Sequence, residues 1–160
     1  MPELQIRRLQ SAEDAHLCAE LMSTSEPWLT FERSYEDARQ LVTDPSREVY
    51  VAFEGDAFRG FLVLNLNGVL NGYIQTVAVA KDARGGGVGS QLVAFAEERI
   101  FRQSPNVFLC VSSFNTRAKH LYERLGYREV GALTDYFLPG KDEILMRKTL
   151  GPWRTTILRA

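Results

Sequence analysis

Arg84-Gly85-Gly86-Gly87-Val88-Gly89-Ser90 is the stretch on which the reading of this chain turns. Before it, Tyr73 to Ala80 reads as a strand. After it, Val88, Leu92, Phe95, Ala96 and Ile100 fall at i, i+4, i+7, i+8 and i+12, one apolar stripe of a helix. Glycines therefore sit where a strand hands over to a helix. The backbone N–H groups of a helix start are unpaired, and the dipole there favours anions. Glycine removes the Cβ atoms that would hold a ligand away from those groups, and Arg84 adds a fixed positive charge. This is the composition of a phosphate cradle. A lone glycine would only ease a tight turn; four glycines beside an arginine ask for more.

Two familiar phosphate patterns fail. The nucleotide loop that ends in Lys-Ser or Lys-Thr does not fit, because Ser90-Gln91 follows Gly89. The dinucleotide pattern G-x-G-x-x-G fails twice, since its third glycine falls on Ser90 when counted from Gly85 and on Leu92 when counted from Gly87.

Upstream, Leu4 to Arg8 reads as a short strand. Ser11 stands before Glu13 and Asp14 as an N-cap with an acidic first turn. Ser23 to Arg33 reads as a loop, and Ser34 with Asp37 opens a second helix that Asp44-Pro45 ends. Glu48–Phe53, Phe58–Leu66 and Tyr73–Ala80 form three strands joined by short turns, hence an antiparallel meander. Downstream, Val107–Val111 is an apolar run typical of a central strand. Phe114 to Leu125 reads as a helix with Phe114, Ala118, Leu121 and Leu125 on one face, capped by Gly126. Tyr127–Ala132 and Glu143–Leu150 close the order as strands. The expectation is one α/β domain over residues 1–150 and a short tail over 151–160, whose Trp153, Ile157 and Leu158 offer cover for a sheet edge or for a partner such as a second copy in a homodimer.

Composition narrows the class. A chain of 160 residues suits one domain with its own core. A net charge of −1 gives no overall pull toward nucleic acid or an anionic membrane, and no apolar run approaches the ~20 residues that a membrane span needs. Cys18 and Cys110, with His16 and His120 as the only histidines, suggest neither a disulfide framework nor a metal site. Met1 to Gln5 lacks the layout of a signal peptide, so a cytoplasmic location is expected.

Arg84-x-x-Gly87-x-Gly89 resembles the R/Q-x-x-G-x-G/A signature of the GCN5-related N-acetyltransferase superfamily, and Gln75-Thr76-Val77-Ala78-Val79 is similar to the strand before it. Asn115 to Tyr127 resembles the second motif, N-x-x-A-x-x-L-Y-x-x-x-G-F/Y. Two motifs in order, roughly 30 residues apart, are far more specific than one. The resemblance implies a mixed, mostly antiparallel sheet flanked by helices, with Tyr73–Ala80 and Val107–Val111 splayed apart. It implies acetyl-coenzyme A as acetyl donor. Val77, Ala78 and Val79 would lie along pantetheine, with Val77 and Val79 making the hydrogen bonds, and Arg84, Gly85, Gly86, Gly87, Val88, Gly89 and Ser90 would hold pyrophosphate. Asn115 would contact pantetheine or cap its helix.

Tyr122 is the expected general acid for the departing thiolate. Its alternative is a core tyrosine with a satisfied hydroxyl. The acceptor is expected to be a primary amine, on a small molecule or a protein N-terminus. Gln75 could orient a water toward it; Trp28, Phe31 and Tyr136 either shape its pocket or pack in the core. A ribosomal-protein N-terminal acetyltransferase commonly has glutamate where Cys110 stands, so the resemblance supplies no base, and Glu26 and Glu54 are candidates by type alone. With no base in view, an α-amine at pKa ~7.7–8.0 is easier to accept than a lysine or polyamine nitrogen near ~10.4. An acyl-coenzyme A binding module without turnover is the alternative to an enzyme.

Overall fold

The computed structural model describes residues 2–153, and Ile157 and Leu158 lie outside the described residues. Strand β1 (Leu4–Arg8) is followed by helices α1 (Ala12–Ser23) and α2 (Tyr35–Thr43). Strands β2 (Glu48–Glu54), β3 (Ala57–Asn65) and β4 (Tyr73–Val79) then lead to helix α3 (Val88–Phe101). Strand β5 (Asn106–Ser112), helix α4 (Thr116–Arg124), and strands β6 (Arg128–Leu138) and β7 (Lys141–Thr149) complete the order. The local signals act as read. Ser11 Oγ accepts from the Asp14 amide at 3.0 Å, and Ser34 with Asp37 closes a reciprocal capping box at 3.0 Å each way.

The strands form one sheet in the order β1-β2-β3-β4-β5-β7-β6. All neighbours are antiparallel except β4 and β5, whose parallel pairing follows from the crossover through α3. One face of the sheet packs on α3, burying Leu92, Ala96 and Ile100 against Leu62, Leu64 and Leu109. The other packs on α1 and α2, burying Ala15, Cys18, Ala19 and Ala38 against Val51, Phe61 and Val63. Each fully buried Leu or Val contributes about 1.5–3 kcal/mol, so the two layers hold the sheet rigidly between them.

The parallel pair is short. Only Tyr73↔Phe108 and Ile74↔Leu109 are in register. On its other side, β4 pairs Ile74 with Leu64 and Thr76 with Val63, which leaves Gln75 as an extra residue. A bulge bends a strand and raises its twist, and here the β4–β5 ladder ends at the residue before it. Beyond that point β4 and β5 diverge, which is the splay the sequence led us to expect.

Two segments depart from the sequence reading. Helix α4 begins after Asn115, so Phe114 lies outside it, and none of its residues is fully buried. Its apolar residues face an open cleft as well as the core. Strand β6 runs to Leu138 rather than Ala132 and forms a hairpin with β7. Leu133 pairs with Glu143 and Leu138 with Lys141, so residues 134–137 loop out against Asp142 alone. Asp135 supports this bulge, accepting the Gly140 amide at 2.6 Å while its own amide donates to Asp142 at 3.2 Å. Trp153 stays 57% exposed. Among the described residues, no helix is long and apolar enough to cross a membrane, and no cluster of possible metal ligands is present.

Candidate active site

The splay opens into a cavity of about 1090 Å³. It runs from the start of α3, between β4 and β5, to the α1–α2 loop and the β6–β7 hairpin. Of the donor and acceptor residues named from sequence, all but Gly86 line it, and of the two glutamates considered as bases Glu26 lines it and Glu54 does not.

The glycine-rich segment forms the start of α3. Gly87 is the N-cap of α3 in the left-handed region, φ +85°, and its carbonyl accepts from the Gln91 amide at 3.1 Å. The amides of Val88, Gly89 and Ser90 belong to the unpaired first turn. A Cβ on Gly87 would meet nothing within 4 Å, so the space above these amides is open. Val88 turns its side chain into the core, which leaves only its backbone for a ligand. Arg84 reaches back, its Nε donating to the Val79 carbonyl at 3.2 Å and Nη2 to Ser25 Oγ at 3.4 Å. It thereby ties the end of β4 to the α1–α2 loop. Arg117 brings a second cation from α4: its Nη2 lies 3.7 Å from where a Gly85 Cβ would stand. Lys119 turns instead to Glu129, at 3.9 Å.

Along β4 the backbone divides. The Ala80 amide donates to Arg59 on β3 at 2.8 Å. By strand alternation, Ala78 also directs its amide and carbonyl to β3, while Val77 and Val79 direct theirs into the splay. Val77 thus leaves both backbone groups toward the splay and Val79 its amide, its carbonyl already accepting from Arg84; Ala78 offers only its surface.

Tyr122 is half-buried in the cavity wall, with its ring edge-on to Tyr127 at 6.0 Å. Its hydroxyl has no hydrogen-bond partner among the described residues, so the satisfied core tyrosine is not what the fold builds. Burial pushes the phenol up to about 12, which keeps it protonated through the neutral range. Asn115 caps α4, its Oδ1 accepting from the Ala118 amide at 3.3 Å, and lines the cavity.

At the other end, the α1–α2 loop and the hairpin meet through aromatic rings. Phe31 lies 4.7 Å from Phe137 and 5.9 Å from Phe114, and Tyr136 lies 4.7 Å from Phe137. Phe31 and Tyr136 therefore flank the mouth, whereas Trp28 packs partly on the α1–α2 core. Gln75 is held at its oxygen by Arg47 Nε at 2.7 Å, so only its amide nitrogen is left to meet a water or a substrate. Glu54 is paired with Arg59 at 3.3 Å and lies outside the cavity. Glu26 lines it, but accepts from Thr30 Oγ1 at 2.6 Å within its own loop.

Sequence reasoning missed the floor between these ends. Tyr73, Cys110, Ser112 and Glu143 line the cavity where β4, β5 and β7 converge. Burial raises the Tyr73 phenol and the Cys110 thiol. The protonated thiol is a poor nucleophile. Glu143 is 6% exposed, and its Oε2 is buried without a partner among the described residues. The available signal was parity: in Glu143-Ile144-Leu145-Met146, Ile144 and Met146 face the core, so Glu143 had to face the cavity side.

The comparisons with known proteins agree with this geometry. The chain is 38% identical over 80 residues to an uncharacterized N-acetyltransferase of Methanocaldococcus jannaschii, covering 49% of this chain and 51% of the relative. It is 31% identical over 98 residues to N-alpha-acetyltransferase 30 of Schizosaccharomyces pombe, covering 58% and 65%. The chain therefore spans about half to two thirds of the length of these relatives. A crystal structure from Desulfovibrio desulfuricans assigned to the GNAT acetyltransferases superposes with a TM-score of 0.78 over 93% of this chain and 100% of that one, at 20% identity, which shows a shared fold. The model of the acetyltransferase (GNAT) family matches residues 14–127. With the glycine cradle, the splayed strands and a family match over more than half its length, the chain belongs to the acetyltransferase (GNAT) family.

Proposed function

We propose that this protein transfers the acetyl group of acetyl-coenzyme A to a primary amine. One observation carries the reading: a single cavity joins an anion-binding helix start, a strand edge with free backbone groups and an unpartnered, buried phenol. The residues fit the donor. The amides of Val88, Gly89 and Ser90, with Arg84 and Arg117 beside them, suit pyrophosphate, whose charge strengthens each hydrogen bond. Val77 and Val79 suit the amide-bearing pantetheine arm. Acetyl-coenzyme A, when bound, supplies an acetyl group already activated as a thioester.

The chain's own residues then do three things. The cradle and the β4 edge fix the donor, so that much of the barrier is met by positioning. The aromatic mouth of Phe31, Tyr136 and Phe137 limits water around the reacting amine. Tyr122 holds a proton at its hydroxyl for the sulfur that departs. A phenol near 12 is a weaker acid than a thiol near ~8.5, so this transfer depends on placement at the moment the C–S bond breaks rather than on matched acidity.

The test is thiol release from acetyl-coenzyme A across a panel of amines, with donor binding followed by thermal shift. Acetyl-coenzyme A should raise the melting temperature, by about 2.7 kcal/mol of added stability at 100 times the dissociation constant, and at least one amine should release thiol. A larger thermal shift with NAD or ATP would overturn the reading. Strong acetyl-coenzyme A binding with no release from peptide, lysine, polyamine or aminoglycoside amines would leave a binding module in place of an enzyme.

A further inference from the structure

We infer that Glu143 receives the acceptor: its carboxylate binds the incoming ammonium group and removes the proton that must leave before the nitrogen can attack. This rests on the acetyltransferase reading above.

Three observations converge on this side chain. Glu143 is more than nine-tenths buried, yet its Oε2 has no partner, and neither does the buried Oγ of Ser112 directly across the β5–β7 ladder. An orphaned carboxylate oxygen inside a protein costs several kcal/mol unless something pairs with it. Such a group calls for a partner such as a bound ligand, an ion or a water, and Glu143 is the carboxylate among the unsatisfied buried groups. The side chain also lines the substrate cavity on the side where β4 and β5 diverge and the aromatic mouth begins. A cation entering past Phe31 and Tyr136 is favoured by ring faces on the way and would find Glu143 and Ser112 as its acceptors.

The groups around Glu143 support a base rather than a structural ion pair. Cys110 and Ser112 face it from β5, Tyr73 from β4, and Tyr136 lines the same space from β6. Arg33 lines the cavity from the α1–α2 loop, and Lys141, on the same strand, sits over the Phe114 ring at 5.1 Å. No basic side chain pairs with Glu143 among the described residues. Burial raises its carboxyl above the ordinary range, with the Ser112 hydroxyl nearby offsetting part of this although no hydrogen bond between them is closed. A raised carboxylate is a stronger base than an ordinary one.

The proton count closes. The ammonium nitrogen starts with three protons. One passes to Glu143. The neutral nitrogen then forms its bond to the thioester carbonyl carbon as the C–S bond breaks. The second proton returns, through Tyr122, to the departing sulfur, which leaves as the thiol. The third stays on the amide. Glu143 later gives its proton to solvent. A base in this position also weakens the reason for preferring an α-amine, since a nitrogen near ~10.4 then has a group to take its proton.

Glu143→Gln keeps shape and hydrogen-bonding capacity while removing the base. With wild type and E143Q compared on a free-N-terminus peptide, an N-blocked lysine peptide and spermidine, kcat/KM should fall about 10²–10⁴-fold for the best amine, with acetyl-coenzyme A affinity unchanged. The wild-type kcat/KM should rise as pH passes upward through the Glu143 ionisation, and E143Q should lose that limb. Stability should move the other way. A carboxyl whose folded pKa is raised favours the folded state below its unfolded pKa and loses that contribution as pH rises through the folded value. At neutral pH, E143Q should therefore melt at the same temperature as wild type or higher. A wild type that turns over, with E143Q as fast to within about twofold, overturns the assignment of Glu143 and leaves the transferase reading standing. A wild type that does not bind acetyl-coenzyme A overturns both.

Discussion

Gly87→Val separates a glycine kept for a ligand from one kept for a turn. Gly87 sits at φ +85°, where a left-handed conformation costs an ordinary residue about 1–2 kcal/mol and a β-branched one more. No steric clash adds to this, since a Cβ there meets nothing within 4 Å. A change of 1 kcal/mol moves the melting point of a chain this size by about 2–4 °C, so the variant should fold and melt about 5–10 °C lower.

The effect on binding should be larger. The valine methyls would occupy the space over the Val88, Gly89 and Ser90 amides. Losing one or two charge-assisted hydrogen bonds at about 1.5–3 kcal/mol each weakens acetyl-coenzyme A by at least about tenfold, and by roughly a hundredfold for a loss near 2.7 kcal/mol. Ligand at 100 times the wild-type dissociation constant would then stabilise the variant by only about 0.4 kcal/mol, against about 2.7 kcal/mol for wild type. Calorimetry and thermal shift on the same samples read both quantities. Gly86→Ala is the control: Gly86 does not line the cavity, an added Cβ would approach only the Ala83 carbonyl at 3.5 Å, and the amide is kept. A folded Gly87→Val that binds acetyl-coenzyme A as wild type does would refute the cradle.

Tyr122→Phe should lower kcat by about 10²–10⁴-fold with donor affinity nearly unchanged, because only the proton donor is removed and no partner is orphaned; full activity in steady-state kinetics would return Tyr122 to packing. Phe31→Ala breaks the ring contacts with Phe137 and Phe114, so KM for the amine should rise several-fold while calorimetry finds acetyl-coenzyme A unaffected; an unchanged amine KM would remove the aromatic mouth from the acceptor site. Arg117→Ala should weaken acetyl-coenzyme A by several-fold, in a salt-dependent way, since a partly exposed cation acts on phosphate through a screened field; equal affinity at low and moderate salt would place Arg117 outside the cradle.

The sequence alone carries the local elements and the glycine-rich helix start proposed to hold the donor. Caps, turns and periodicity act within a few residues, so Ser11, Ser34, the glycines of 85–89 and the stripe from Val88 to Ile100 could be read in place. The cradle is likewise local, a helix start with its Cβ atoms removed. Only the tertiary structure decided the acceptor half, because its parts meet across distant strands. The bulge at Gln75 that ends the β4–β5 ladder depends on register with β3. The loop-out of residues 134–137, which carries Tyr136 and Phe137 to the mouth, depends on pairing with β7. Glu143 is one more acidic residue in a charged segment until β5 and β7 bury it opposite Ser112. Burial without a partner is a property of the folded surroundings, and those surroundings turn a glutamate into a candidate base.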